Sequence, residues 1–253
     1  MGNDFIEISL PQKIKLDYQI LGEGKPILFL HGGGTDYRFY TQFLKVLSAK
    51  YKVYTFAYPG FGKSSNIKSY TLENFNQIIN EFLSLNDLSE VYIVAHSMGA
   101  GLAVNYLSSK NKVAKVVGLC LISPWLFPVN KSLVKMIKDL SIQNNITLRE
   151  VRESNQTQSL VSYLKKFIKI KYTINSLKLF LLIKKEDIRP FLSKINIPVL
   201  GFYGTSDIVL PSEDQKNALA EIKDCMIFKC DGGGHHLIHL QKDLILQEII
   251  KIY

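Results

Sequence analysis

Several features that would assign a protein to a specialised class are scarce in this chain. Among 253 residues there are only three cysteines, Cys120, Cys225 and Cys230, and all lie in apolar, strand-like runs. This usage is typical of buried free thiols and fits a reducing compartment. No apolar run approaches the ~20 residues that a bilayer-spanning helix needs. The first residues lack the basic and apolar regions of a signal peptide, so we expect a cytoplasmic protein.

Acidic residues are also scarce, with 22 Asp and Glu against 31 Lys and Arg. The excess is concentrated between Trp125 and Pro190, which hold 13 Lys and Arg but only 5 Asp and Glu. Such a segment can bind an anionic ligand or an anionic membrane surface, but the pattern is more often that of a solvated helical face. No nucleic-acid motif accompanies the charge, so we expect no nucleic-acid partner.

Strand and helix signals alternate through the first 122 residues and again after about Ile195. Alternation of this kind predicts an α/β fold with a mostly parallel, eight-stranded sheet flanked by helices. Between the two stretches no strand pattern is visible. We therefore predict a core of residues 1–124 and 191–253, with residues 125–190 inserted as a helical lid. The predicted strands are Phe5–Ile8, Ile14–Leu21, Ile27–Leu30, Val53–Phe56, Val91–Ala95, Val116–Ile122, Pro198–Tyr203 and Cys225–Lys229.

Within the predicted lid, three patterns indicate helices, and one of them predicts a helix over Ser176–Lys185. Thr147-Leu148-Arg149-Glu150 has the form of a capping box, which predicts a helix start at Thr147. Leu160, Leu164, Phe167 and Lys171 recur at helical spacing and predict one face of a helix.

The most informative motif follows the strand at Val91–Ala95. It reads Ala95-His96-Ser97-Met98-Gly99 and leads into helix-forming residues. This is a G-x-S-x-G pattern with alanine in the first glycine position, and it predicts a sharp turn between a strand and a helix. A strained backbone at the apex would hold the Ser97 hydroxyl clear of the sheet. The motif therefore predicts a serine nucleophile.

A serine nucleophile needs a base within hydrogen-bond reach and an acid that orients the base. Asp207 lies in the turn after the strand that ends at Gly204, so we expect it to be the acid, although a plain turn aspartate would look the same alone. The base must come from the glycine-rich loop that contains His235 and His236, with His239 nearby.

The anionic intermediate of acyl transfer must be bound by backbone N–H groups. One is expected from Met98, the residue after the nucleophile. The other is expected from Gly33, in the loop His31-Gly32-Gly33-Gly34 that follows a buried strand.

These motifs together resemble the α/β-hydrolase superfamily, in its capped esterase, lipase and peptidase-like branch. Tyr58-Pro59-Gly60-Phe61-Gly62-Lys63-Ser64 is similar to a family loop, although Ala57 departs from the aspartate that is usual just upstream. Members typically close with a His-x-x-His-Leu-Glu run, and His236-Leu237-Ile238-His239-Leu240-Gln241 has that register. The resemblance thus implies that His236 is the base and leaves His235 as the alternative.

The resemblance implies hydrolysis through an acyl-enzyme, with a carboxylic ester of a small or medium apolar acyl or aromatic group as the leading small-molecule substrate. We expect no cofactor and no metal. Amide, aminopeptide and carbon–carbon bond hydrolysis stay open, as do a silent ligand-binding protein and a membrane-associated lipase. The oligomeric state also stays open. Apolar lid residues are expected to contact the substrate, unless they only attach the lid to the core: Trp125, Leu126, Phe127, Leu164 and Phe167.

Overall fold

The computed structural model describes residues 4–9, 13–153 and 174–253, which form one eight-stranded sheet flanked by helices. The spatial order is β1-β2-β4-β3-β5-β6-β7-β8. β2 pairs antiparallel with both β1 and β4, and all other pairs are parallel. The strands are β1 Asp4–Ser9, β2 Lys13–Leu21, β3 Pro26–Leu30, β4 Lys52–Phe56, β5 Glu90–His96, β6 Lys115–Ile122, β7 Val199–Gly204 and β8 Cys225–Cys230. The predicted mostly parallel sheet is confirmed.

Helices connect the parallel strands. Their bounds are α1 Thr41–Ser48, α2 Leu72–Leu85, α3 Met98–Ser108, α4 Leu133–Glu153, α5 Ile174–Lys185, α6 Ser212–Ala220, α7 Leu237–Leu240 and α8 Lys242–Ile252, with 3₁₀ turns at Tyr37–Tyr40 and Arg189–Lys194. The Thr71 hydroxyl caps α2 by accepting from the Asn74 amide at 3.2 Å, since a side-chain oxygen can satisfy a first-turn N–H. None of the helices within the described ranges has the length and apolar character needed to cross a membrane.

The central strands read as continuous apolar runs because both faces of the sheet are covered. In β5, all residues from Val91 to His96 are buried, and in β7 every residue is buried. Parallel strands buried on both faces have this pattern. Their carboxyl ends meet at one edge of the sheet, where ligands bind in folds of this type.

Residues 125–190, called the helical segment below, connect β6 to β7, and their described parts contain α4 and α5. The predicted helix start at Thr147 is wrong, because α4 runs without interruption through that residue. A capping box acts only where the chain enters a helix from an extended conformation, and the residues before Thr147 are already helical. The predicted helical face from Leu160 to Lys171 lies outside the described residues.

Candidate active site

Ser97 lies at the apex of the turn from β5 to α3, with φ 53° and ψ −118°. A positive φ is rare for a non-glycine residue, so the predicted strained turn is present. Both backbone groups of Ser97 are hydrogen-bonded, which holds the turn in place. The Ser97 amide donates to the Ile122 carbonyl at 2.9 Å, and the Ser97 carbonyl accepts from the Trp125 amide at 3.1 Å. A Cβ on Gly99 would lie 2.4 Å from the Leu30 carbonyl oxygen, so only glycine permits α3 to pack this closely on β3.

Three side chains from three strand ends form a hydrogen-bonded chain. His235 Nε2 is 2.9 Å from Ser97 Oγ, and His235 Nδ1 is 2.8 Å from Asp207 Oδ2. A carboxylate can only accept, so Nδ1 carries the proton and Nε2 accepts from the serine hydroxyl. All three residues are buried. The geometry is that of a serine, a base and an orienting acid.

The prediction that His236 joins Ser97 to Asp207 is wrong, since its neighbour His235 does so. His236 Nε2 instead donates to Asn144 Oδ1 at 2.8 Å. The side chains of adjacent residues diverge in this loop, so only one of the two histidines reaches the serine. The spacing of the family motif pointed to His236. Contacts with distant parts of the chain, which the spacing does not record, decide which of the two histidines faces Ser97.

The Asp207 carboxylate accepts from four donors. Oδ1 receives the backbone amides of Val209 and Leu210, both at 2.9 Å. Oδ2 receives Gln215 Nε2 at 2.9 Å as well as His235. Gln215 was missed in the sequence, although a glutamine on the otherwise apolar, buried face of α6 was a usable signal. Several donors to one carboxylate fix its orientation toward the imidazole.

The glycine loop after β3 lies against the turn that carries Ser97. A Cβ on Gly32 would be 3.3 Å from Ser97 Cβ, and one on Gly33 would be 3.4 Å from Met98 Sδ. No acceptor is bonded to the Gly33 amide among the residues that the structure describes. Met98 is the first residue of α3, where amides have no intrahelical partner. Two amides are therefore available close to the serine.

His31 shapes the start of the same loop. Its Nδ1 donates to the Gly32 carbonyl at 2.8 Å, and its Nε2 accepts from the Tyr58 amide at 3.2 Å. Burial lowers the pKa of His31 to about 3, so the ring is neutral and can act as both donor and acceptor. The ring thus joins the glycine loop to the segment that follows β4.

An aromatic pair from the helical segment covers the glycine loop. Phe180 of α5 is buried, and its ring would be 3.2 Å from a Cβ on Gly33. The Trp125 ring meets Phe180 edge-on, with the centroids 5.0 Å apart. Trp125 therefore belongs to an apolar wall beside the loop, and Phe180 is a residue that sequence reasoning missed.

Four further lid residues were predicted to contact the substrate. Leu126 is buried, and Phe127 lines a separate groove with Pro128 and Asn217. Leu164 and Phe167 lie outside the described residues.

Helix α4 contacts the loop that carries the histidines. Besides the bond from His236 to Asn144, the Gln143 amide nitrogen lies so close to Gly234 that a Cβ there would be 2.1 Å away. Leu140, Asn144 and His236 also share a small cleft with Gly33. Neither Gln143 nor Asn144 was predicted as a site residue, because each contacts a residue some 90 positions away.

A lysine connects the helical segment to the loop that carries the acid. Lys131 Nζ donates to Asp139 Oδ2 at 3.0 Å and to the carbonyls of Ile208 and Val209 at 2.8 and 3.0 Å. Those carbonyls follow Asp207 directly in the chain. The helical segment is thus hydrogen-bonded to the loop that contains Asp207 and to the loop that contains His235 and His236.

Comparisons with known proteins show the family to which the fold belongs. Residues 25–167, more than half of the chain, match the family model for the α/β hydrolase fold. The protein named "Putative esterase/lipase 2" of Mycoplasma genitalium is 28% identical over 82% of this chain and 81% of its own length. The pimeloyl-[acyl-carrier protein] methyl ester esterase of Vibrio cholerae is 22% identical over 93% of this chain and 97% of its own.

Solved structures show the same fold. The esterase EaEST of Exiguobacterium antarcticum superposes with a TM-score of 0.79 at 20% identity, covering 99% of this chain and 98% of that one. Esterases and hydrolases recur among the relatives, which supports ester hydrolysis at the level of the family. With the family model matched over more than half of its residues, the chain belongs to the α/β hydrolase fold family.

Proposed function

We propose that this protein is a serine hydrolase that cleaves a carboxylic ester through an acyl-enzyme. Ser97 is the nucleophile, His235 the general base and Asp207 the orienting acid. The observation that carries the proposal is the hydrogen-bonded chain from Ser97 Oγ to His235 Nε2 at 2.9 Å and from His235 Nδ1 to Asp207 Oδ2 at 2.8 Å. A weakly nucleophilic hydroxyl next to an imidazole that a carboxylate orients is the arrangement that acyl transfer requires.

In the first step, Ser97 Oγ attacks the ester carbonyl carbon while His235 Nε2 takes the hydroxyl proton. The carbonyl oxygen becomes an oxyanion, and the amides of Gly33 and Met98 bind it. The amide after the nucleophile also sits at the N-terminus of α3, where negative charge is favoured. The intermediate then collapses, His235 gives its proton to the leaving alkoxide, and an alcohol departs. Water repeats the sequence on the acyl-enzyme and releases the acid.

The helical segment acts as a lid that selects the substrate. Phe180 and Trp125 present an apolar wall next to Gly33, which favours a small or medium apolar acyl or aromatic group. The basic residues of the segment disfavour a cationic substrate, as an aminopeptide would be.

A panel of p-nitrophenyl esters with graded acyl length tests the proposal, together with labelling by a fluorophosphonate probe. We expect ester turnover and stoichiometric labelling of the wild-type protein, and a loss of about 10⁶-fold in kcat for Ser97→Ala because the triad acts as a unit. Ser84→Ala, the same serine-to-alanine change at an exposed position of α2, is the matched control. Turnover by Ser97→Ala at the wild-type rate would refute the proposal.

A further inference from the structure

His96 precedes the nucleophile and takes no part in the hydrogen-bonded chain, yet it is buried among the site residues. It is the last residue of β5, with 1% of its surface exposed. Its ring lies 5.2 Å from that of His235 and 5.4 Å from that of Tyr40, measured between centroids. A buried imidazole needs partners for both nitrogens, because an unpaired buried polar group costs free energy.

Both nitrogens of His96 have partners, and the partners fix one tautomer. Nε2 is 3.0 Å from the carbonyl oxygen of His235, which can only accept, so Nε2 carries the proton. Nδ1 is therefore the acceptor, and the Tyr40 hydroxyl donates to it at 2.9 Å. The Tyr40 oxygen in turn accepts from the Gly32 amide at 3.0 Å. The hydrogen bonds therefore run from the glycine loop through Tyr40 and His96 to the backbone of His235.

The ring remains neutral at physiological pH. Burial lowers the pKa of His96 well below its ordinary value, and positive charge on His235 would lower it further. Because the doubly protonated ring could not accept from Tyr40, neutrality keeps the connection intact.

The loop that carries His235 requires such a restraint. Three consecutive glycines, Gly232–Gly234, precede the histidine and allow the backbone a wide range of conformations. The loop is also bonded at Gly233, whose carbonyl accepts from the Ser206 amide at 2.9 Å, two residues before the base. The bond from His96 is made at His235 itself, and it comes from the residue covalently joined to Ser97.

We infer that His96, held by Tyr40, is a positioning residue that fixes the His235 backbone and the glycine loop relative to Ser97. The inference rests on the proposed function, since it concerns the same reaction. Catalytic groups must be held within about 0.5 Å of productive geometry, and a displacement near 1 Å costs on the order of 10²-fold in rate.

Two substitutions separate the two bonds of His96. In His96→Asn, the amide oxygen stands near the position of Nδ1, so the bond from Tyr40 is kept while the bond to the His235 carbonyl is lost. In His96→Gln, the amide nitrogen stands near the position of Nε2 and can restore that bond. We expect His96→Asn to lower kcat by about 10- to 100-fold with little change in KM, and His96→Gln to recover most of the loss.

His239→Asn is the matched control for this change. It makes the same substitution at a buried histidine that takes no part in the hydrogen bonds of the site, since neither ring nitrogen has a hydrogen-bond partner among the described residues. We expect it to lower the thermal midpoint without lowering kcat. Tyr40→Phe and Tyr92→Phe form a second pair, since both tyrosines are buried but only the Tyr40 hydroxyl is bonded to the site. Tyr40→Phe should lower kcat several-fold and Tyr92→Phe should not.

Proton NMR provides a measurement that does not depend on turnover. We expect the proton between His235 Nδ1 and Asp207 Oδ2, which are 2.8 Å apart, to give a low-field resonance. His96→Asn should shift or broaden this resonance, and His239→Asn should leave it in place. An unchanged resonance and unchanged kcat in His96→Asn would overturn the inference while leaving the proposed function standing. If the wild-type protein cleaves no ester of the panel, the proposed function fails, and the resonance alone decides whether His96 positions His235.

Discussion

The core and the helical segment contribute to the same site in different ways. The core supplies Ser97, Asp207 and His235 from three strand ends, and each is held by buried hydrogen bonds. The helical segment reaches the site from outside, through Phe180 over the glycine loop and Asn144 beside His236. All five histidines of the chain lie in the core, whereas most of the excess positive charge lies in the helical segment. In the function proposed above, the core carries out the chemistry and the helical segment selects the substrate.

The largest expected difference is between two adjacent histidines. His235→Gln removes the base and should lower kcat by about 10⁴-fold or more, because the residues of a triad act as a unit. His236→Gln keeps a donor toward Asn144 and should lower kcat by less than about tenfold. Steady-state kinetics on one p-nitrophenyl ester compares the two variants. An equal loss of kcat in both variants would contradict the assignment of the base to His235 rather than to His236.

A smaller effect is expected in the helical segment. Phe180→Ala opens space beside Gly33 and should shift the preference to esters with longer acyl chains. We expect the ratio of kcat/KM between chain lengths to change by about tenfold or more, because one methylene group in an apolar pocket is worth that much. Phe180→Leu should shift the preference less.

Val134→Ala, at an exposed position of α4, is the control for Phe180→Ala and should leave the chain-length profile unchanged. Profiles are compared as kcat/KM across the ester panel. If Phe180→Ala lowers kcat/KM by the same factor for every ester, Phe180 does not select the acyl chain.

The smallest expected effect is on the pH dependence of stability, and it should come from two histidines of the core. Burial lowers the pKa values of His31 and His239 to about 3, so each is neutral in the folded chain and becomes protonated on unfolding below its ordinary pKa of 6.5. Since the unfolded chain then binds more protons, the free energy of unfolding falls as the pH drops below 6.5 and is independent of these groups above it. Each group contributes about 1.4 kcal/mol per pH unit.

Urea unfolding at pH 8, 7, 6 and 5 measures this dependence. His239→Gln removes one titrating group. The slope of the unfolding free energy against pH should therefore decrease between pH 6 and 5 by about 1.4 kcal/mol per pH unit, which corresponds to one proton. An unchanged slope would mean that His239 is not neutral in the folded core.

Much of the fold could be predicted because it is encoded locally. Each strand of the sheet is a continuous apolar or alternating run, and the turn at Ser97 follows from a motif of five neighbouring residues. The start of α4 could not be predicted because the helical segment has a mixed polar pattern from Leu133 onward. The capping box at Thr147 indicated a false helix start within a continuous helix.

The sequence by itself determined the order of strands and helices, the strained turn at Ser97 and the position of Asp207 after β7, since each depends on residues close together in the chain. Only the tertiary structure decided that His235 rather than His236 faces the serine, because the bond from His96 to the His235 carbonyl spans 139 positions. Hydrogen bonds between distant segments depend on how the elements pack, and local spacing carries no record of that packing.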